Sequence, residues 1–182
     1  MKKYEYKATN LIAEAFEKYD VRYHTVYKYN IEQLMVSFNI ACGPSTDIRF
    51  ISKSDDNSVE VRILGLINET PKDRRFRMLQ ACNILNMRTR HLRFHVDNNG
   101  NINMEYDFPT NYSNDSLGEM AMETIYRTLV ILNEEYGIFM KALYTDEDLE
   151  EFEYDEHHKV FQLLKKHLEE RIASSDEEDD EE

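Results

Sequence analysis

The chain predicts an α+β fold, a single antiparallel β-sheet packed with helices in the order α-ββββ-α-ββ-α. Three observations predict it. Leu34-Val36-Phe38-Ile40 and Val59-Val61-Ile63 alternate with polar residues at the period of a strand. Residues 92–96 and 102–108 alternate in the same way around Asn98-Asn99-Gly100-Asn101, and an Asn-Gly between two such runs is a strong hairpin signal. Every strand-to-strand link is short, which antiparallel pairing permits and parallel pairing does not.

Each element has its own local reason. Ala8, Leu11, Ile12, Ala15, Phe16 and Tyr19 recur at three- and four-residue spacing, so a first helix is expected from Tyr4 to Tyr19. Arg22 to Tyr29 alternates loosely and reads as a first strand, with Tyr29-Asn30 as the turn into the second. Gly43-Pro44 stops that second strand, because Pro lacks a ladder donor. Asp47 to Ser52 is a third strand, and Asp55-Asp56-Asn57 a turn. Ser58 to Asn68 is the fourth. Its Leu64 and Leu66 fall opposite the Val59-Ile63 face, which predicts a strand that is central in the sheet or covered on both faces at its end.

Thr70-Pro71 suits the cap and first turn of a second helix, with Asp73 where the helix dipole favours an anion. On that helix Phe76, Leu79 and Cys82 define an apolar stripe, widened by Met78, Ala81 and Leu85. A long third helix is expected from Asp115 or Ser116 to about Tyr144. Its Met122, Ile125, Leu129, Leu132, Tyr136, Phe139 and Leu143 step by threes and fours, a narrow seam that fits either a sheet or a second copy of itself. A fourth, amphipathic helix is expected over His158 to Ala173, with a disordered acidic tail over 174–182. Three parts follow: a domain over 1–144, an acidic linker and amphipathic helix over 145–173, and the tail.

Charge is distributed unevenly. The net charge is −14, but residues 145–182 hold 17 acids against four bases, while the preceding residues hold 19 acids and 18 bases. The core is therefore electrically balanced and lacks the clustered positive surface that backbone-led nucleic-acid binding requires. No run approaches the ~20 apolar residues that span a bilayer. The N-terminal MKKYEYKATN lacks the apolar stretch of a secretory signal, so a cytoplasmic protein without membrane contact is expected. Cys42 and Cys82 have no Cys-x-x-Cys spacing and read as free thiols.

The VRILGLIN strand, the helix carrying Leu79, Asn83 and Asn86, and the hairpin LRFHVDNNGNINMEYDFP together resemble the YbjN family, which is grouped with the type III secretion chaperone-like fold. The resemblance covers residues ~4–144 and leaves the acidic extension unexplained. It implies a small binding or regulatory module, often dimeric, with a sheet surface or dimer groove that receives a polypeptide. It does not imply secretion, because fold does not carry function across.

Chemistry-bearing constellations are few. There is no Gly-rich phosphate loop, no His-Glu-x-x-His and no Gly-x-Ser-x-Gly, and five glycines leave little room for nucleotide-cradling loops. No catalytic residue, cofactor or metal is expected; adjacent His157 and His158 point to different sides of a helix and do not converge. Asn83 and Asn86 share one side of the second helix. Their amides suit backbone groups of the following turn and hairpin, or else the contacts of a ligand. Arg74, Arg75, Arg77, Arg88, Arg90 and Arg93 form the densest basic stretch, read as a solvated face or as a holder of the chain's own acidic tail or of a partner's acidic segment. Ile125, Leu129, Leu132 and Tyr136 are the candidate partner surface.

The expected function is a non-enzymatic protein- or peptide-binding module of regulatory or chaperone-like kind, acting as a homodimer. The alternative is a small-ligand receptor or enzyme using a polar pocket near Asn83 and Asn86.

Overall fold

A computed structural model describes residues 4–41, 43–53, 58–89, 91–109 and 114–149, all within the compact unit Met1–Glu150. Its elements are α1 (Lys7–Lys18), β1 (His24–Lys28), β2 (Ile31–Asn39), β3 (Ser45–Lys53), β4 (Ser58–Ile67), α2 (Arg75–Arg88), β5 (Arg93–Val96), β6 (Ile102–Pro109) and α3 (Asn114–Tyr144). This is the expected α+β order. The six strands pair antiparallel in one sheet, β1-β2-β3-β4-β6-β5. The expected helix over His158 to Ala173, the acidic tail, the turn at Asp55-Asp56-Asn57, Cys42 and Arg90 lie outside the described residues.

Register follows the side-chain pattern. Leu34 pairs with Phe50, Phe50 with Val61, and Ile63 with Met104, which pairs in turn with Phe94, so one sheet face is continuously apolar. Residues of α1, α2 and α3 bury against this face. Phe16 meets Phe50 edge-on with centroids 5.4 Å apart, and Phe94 meets Phe139 at 5.8 Å. The opposite face is partly exposed and charged. Arg62 sits at its centre, 2.5 Å from Asp107 and 3.5 Å from Glu60, and Glu60 also pairs with Lys53.

The turns obey local stereochemistry. Lys28 pairs with Ile31, leaving Tyr29-Asn30 as a two-residue loop with φ of 54° and 58°. Two left-handed residues match the right-handed twist of the flanking strands. In the β5–β6 turn Gly100 has φ 89°, and the Asp97 carboxylate accepts hydrogen bonds from the main-chain N–H groups of Asn99 and Asn101, both at 2.8 Å. These bonds, chiefly the one from Asn101, hold the Asp97 carboxyl below the usual carboxylate range.

The end of β4 departs from simple alternation. Register with β6 shifts between Ile63 and Ile67, and Gly65 has φ 66°. A bulge there turns Leu66 and Ile67 both into the core and leaves Leu64 51% exposed. The strand is central, between β3 and β6, as one of the two expectations had it, while two-sided cover at its end is replaced by a switch of face. The α1 helix also starts later than its periodicity suggests, at Lys7. Residues 4–6 run into it as a stub whose Glu5 and Tyr6 N–H groups donate to the buried Glu32 carboxylate at 2.7 and 3.2 Å.

Candidate functional site on the outer face of helix α2

Helix α2 begins after a turn, not at Thr70. Arg74 N–H donates to Pro71 C=O at 2.9 Å and Met78 N–H to Arg74 C=O at 3.0 Å, so the cap position is Arg74 and carries no side-chain cap. Thr70 instead ties the strand exit to the hairpin, its N–H donating to Gly100 C=O at 2.9 Å. The face of α2 that enters the core is Met78, Ala81, Cys82 and Leu85. Burial pushes the Cys82 thiol up to about 12, so it stays protonated.

The other face is unusual. Phe76, Leu79 and Met87 are 70%, 51% and 80% exposed, and Asn83 lies exposed between them. The stripe read from sequence as Phe76, Leu79 and Cys82 is thus split, with only Cys82 inward. Apolar residues stand at nearly every azimuth of α2, so periodicity alone could not choose the buried side. Asn86 chooses it. Its side chain donates to Phe94 C=O at 2.9 Å and accepts from Phe94 N–H at 2.7 Å, replacing a neighbouring strand at the outer edge of β5. Asn83 makes no such pairing; its amide lies 4.0 Å from the Met87 sulfur. The two asparagines therefore do not converge on one ligand.

Beside this face lies the beginning of the acidic extension. Arg74 donates to Thr145 C=O at 3.0 Å and to the Asp146 carboxylate at 2.6 Å, and Arg77 donates to Glu147 C=O at 2.6 Å. Leu149 is buried. Residues 145–149 thus form a strap packed on the core instead of a free linker. Between strap and helix is a cleft of about 420 Å³ lined by Arg77, Gln80, Asn83, Ile84, Asp146 and Leu149, among others.

The five described arginines of the expected basic stretch do not make one patch. Arg74 and Arg77 hold the strap, Arg75 donates to Asn99 C=O of the hairpin at 3.0 Å, and Arg88 pairs at 2.8 Å with the buried Glu135 of α3. Arg93 is exposed on β5, and Arg90 is outside the described residues. Sequence reading missed Glu32 and Glu135, since nothing in a run of residues marks which carboxylate folding will bury.

The partner surface expected on α3 is corrected by burial. Ile125, Leu132 and Tyr136 are 8%, 1% and 5% exposed, and Leu129 packs partly buried against the core. Leu117, Ala121, Ile138, Phe139 and Ala142 are buried as well, so the seam is the core stripe of the helix and unavailable to a partner. Among the described residues no group of three His, Cys, Asp or Glu is placed to hold a metal ion, and no helix is long and apolar enough to cross a membrane.

No protein-family model matches the chain, and no curated protein matches it. Among solved structures it is similar to a crystal structure of YbjN, "a putative transcription regulator from E. coli", with TM-score 0.47 and 6% identity over 69% of this chain and 88% of that one. The YbjN resemblance read from the sequence therefore has no sequence match behind it, and a likeness at this TM-score carries no argument about function.

Proposed function

We propose that the chain is a protein- or peptide-binding module and that it binds through the outer face of α2. One observation carries this reading: Phe76, Leu79 and Met87 stand exposed in a stripe on a helix whose opposite face is fully packed. Large apolar side chains gathered on one exposed helix face are a common mark of an interaction site. The adjoining cleft gives that stripe a concave border, as helix-in-groove recognition requires. A regulatory or chaperone-like role would follow from such binding and not from side-chain chemistry.

A second reading, the small-ligand receptor, is favoured by one fact only, that Asn83 lines the cleft. Asn86 does not support it, because its amide nitrogen and oxygen both bond the Phe94 main chain.

Placing a photo-crosslinking side chain at Leu79 or Met87, in cells of the source organism, tests the proposal. A polypeptide adduct should form at both positions and disappear when Phe76→Asp is added. A probe at Leu64, exposed on the charged sheet face, is the control. Absence of any polypeptide adduct on α2 would overturn the proposal.

A further inference from the structure

We infer that the α2 face takes an acidic, amphipathic helical segment of a partner protein. The inference rests on the α2 reading above and names the chemistry of its occupant. From Arg75 to Arg88 the helix holds three arginines and no acid, and Lys72, Asp73 and Arg74 precede it. Among the described residues, Arg75 and Arg77 have no carboxylate at ion-pair distance; each donates to a main-chain carbonyl, of Asn99 and Glu147, and the Nε of each is buried without a partner. Neither guanidinium is therefore engaged in a direct ion pair among the described residues, although Asp146, Glu147 and Asp148 line the cleft beside Arg77 and Glu69 lies beside Arg75.

The strap shows what such a surface accepts. Asp146 engages Arg74 while Leu149, three residues on, is buried. Acid and apolar anchor together are the binding chemistry already in use on one flank. Phe76, Leu79, Asn83 and Met87 follow at i, i+3, i+7 and i+11, a stripe ~16 Å long at 1.5 Å per residue, which matches three turns of a helix laid along it. The exposed acids of the strap, Asp146, Glu147 and Asp148, form the opposite wall of the cleft. They direct the acidic edge of the occupant away from them, towards Arg75 and Lys72. The same acids and the apolar stripe disfavour a nucleic acid. A second copy of α2 would set arginine against arginine.

The test uses the full chain and three fluorescent peptides of ~18 residues, long enough for measurable helicity. All three carry one leucine seam; the flanks are glutamate, glutamine or lysine. The glutamate peptide should bind by anisotropy, more weakly as salt rises. Leu79→Asp and Met87→Asp should each weaken it by ~10-fold or more. Arg75→Glu should weaken the glutamate peptide and spare the glutamine one. Circular dichroism checks that each variant keeps its fold.

Equal binding of the glutamate and lysine peptides, both lost in Leu79→Asp, would overturn the acidic chemistry and leave the α2 face standing. Glutamate-peptide binding indifferent to Leu79→Asp and Met87→Asp would remove the face itself. No binding of the glutamate peptide would overturn the inference. So would a concentration-dependent doubling of mass in light scattering that Leu79→Asp abolishes, since the occupant would then be a second copy.

Discussion

Asn86 engages both main-chain groups of Phe94, and this single amide closes the β5 edge while setting the rotation of α2. Asn86→Ala leaves a part-buried donor and acceptor without partners, so a loss of about 2 kcal/mol is expected in urea unfolding. Asn86→Asp keeps the acceptor for Phe94 N–H but turns a carboxylate oxygen towards Phe94 C=O, and it should not rescue. Asp97 acts on pH. Its folded carboxyl is held below its ordinary value, so its contribution is present above that value and is lost as pH falls through the lowered one. Wild type should lose stability over that acid window relative to Asp97→Asn, and parallel pH profiles of the two would disprove the assignment. Tyr29 occupies a left-handed position at 84% exposure, where Asn is better tolerated. Tyr29→Asn should stabilise by about 0.5 kcal/mol, net of the lost contact with the Lys28 ammonium 4.9 Å from its ring.

At the scale of elements, two close approaches carry the architecture. Gly118 of α3 lies against α1 so tightly that an added Cβ would come within 2.6 Å of the Ala15 Cβ. Gly118→Val therefore has to move one helix, and a loss of about 2 kcal/mol is expected from thermal or urea melts. Helices α2 and α3 are joined by Arg88 and Glu135, whose side chains are 34% and 6% accessible. Arg88→Ala removes the ion-pair partner of a buried carboxylate and should cost about 2 kcal/mol, tempered by the partial exposure of the arginine. Adding Glu135→Gln should recover much of it, and a double-mutant cycle measures the coupling. The bulge at Gly65 shows what was legible and what was not. A glycine inside a strand pattern is itself a bulge signal, yet plain alternation put Leu66 opposite Ile63.

At the scale of the described residues as a whole, six strands shield one face with three helices and leave a charged face and an apolar stripe of α2 towards solvent. The strap at 145–149 is held to α2 partly by the pair of Arg74 with Asp146, the latter 86% accessible. Salt should screen that pair while the buried Leu149 stays seated. Hydrogen exchange at 145–148 should therefore quicken with ionic strength in wild type and already be fast in Arg74→Ala. Salt-independent exchange at these positions would show that the ion pair contributes nothing.

The order of elements, the strand faces up to Ile63, the two turn sites and the absence of a catalytic motif were decided by local sequence. Period, turn chemistry and short links are properties of neighbouring residues, and they carry directly into the antiparallel sheet. The binding face was not decided there. Helix α2 is apolar on several sides and α3 has a regular seam, which sequence alone left open to burial on the sheet or to a partner. Only packing against the sheet and α1 buried Ile125, Leu132 and Tyr136, and only the Asn86–Phe94 pairing turned Phe76, Leu79 and Met87 outward. Rotation of a helix about its own axis depends on contacts far apart in the chain, which is why the tertiary structure had to settle it.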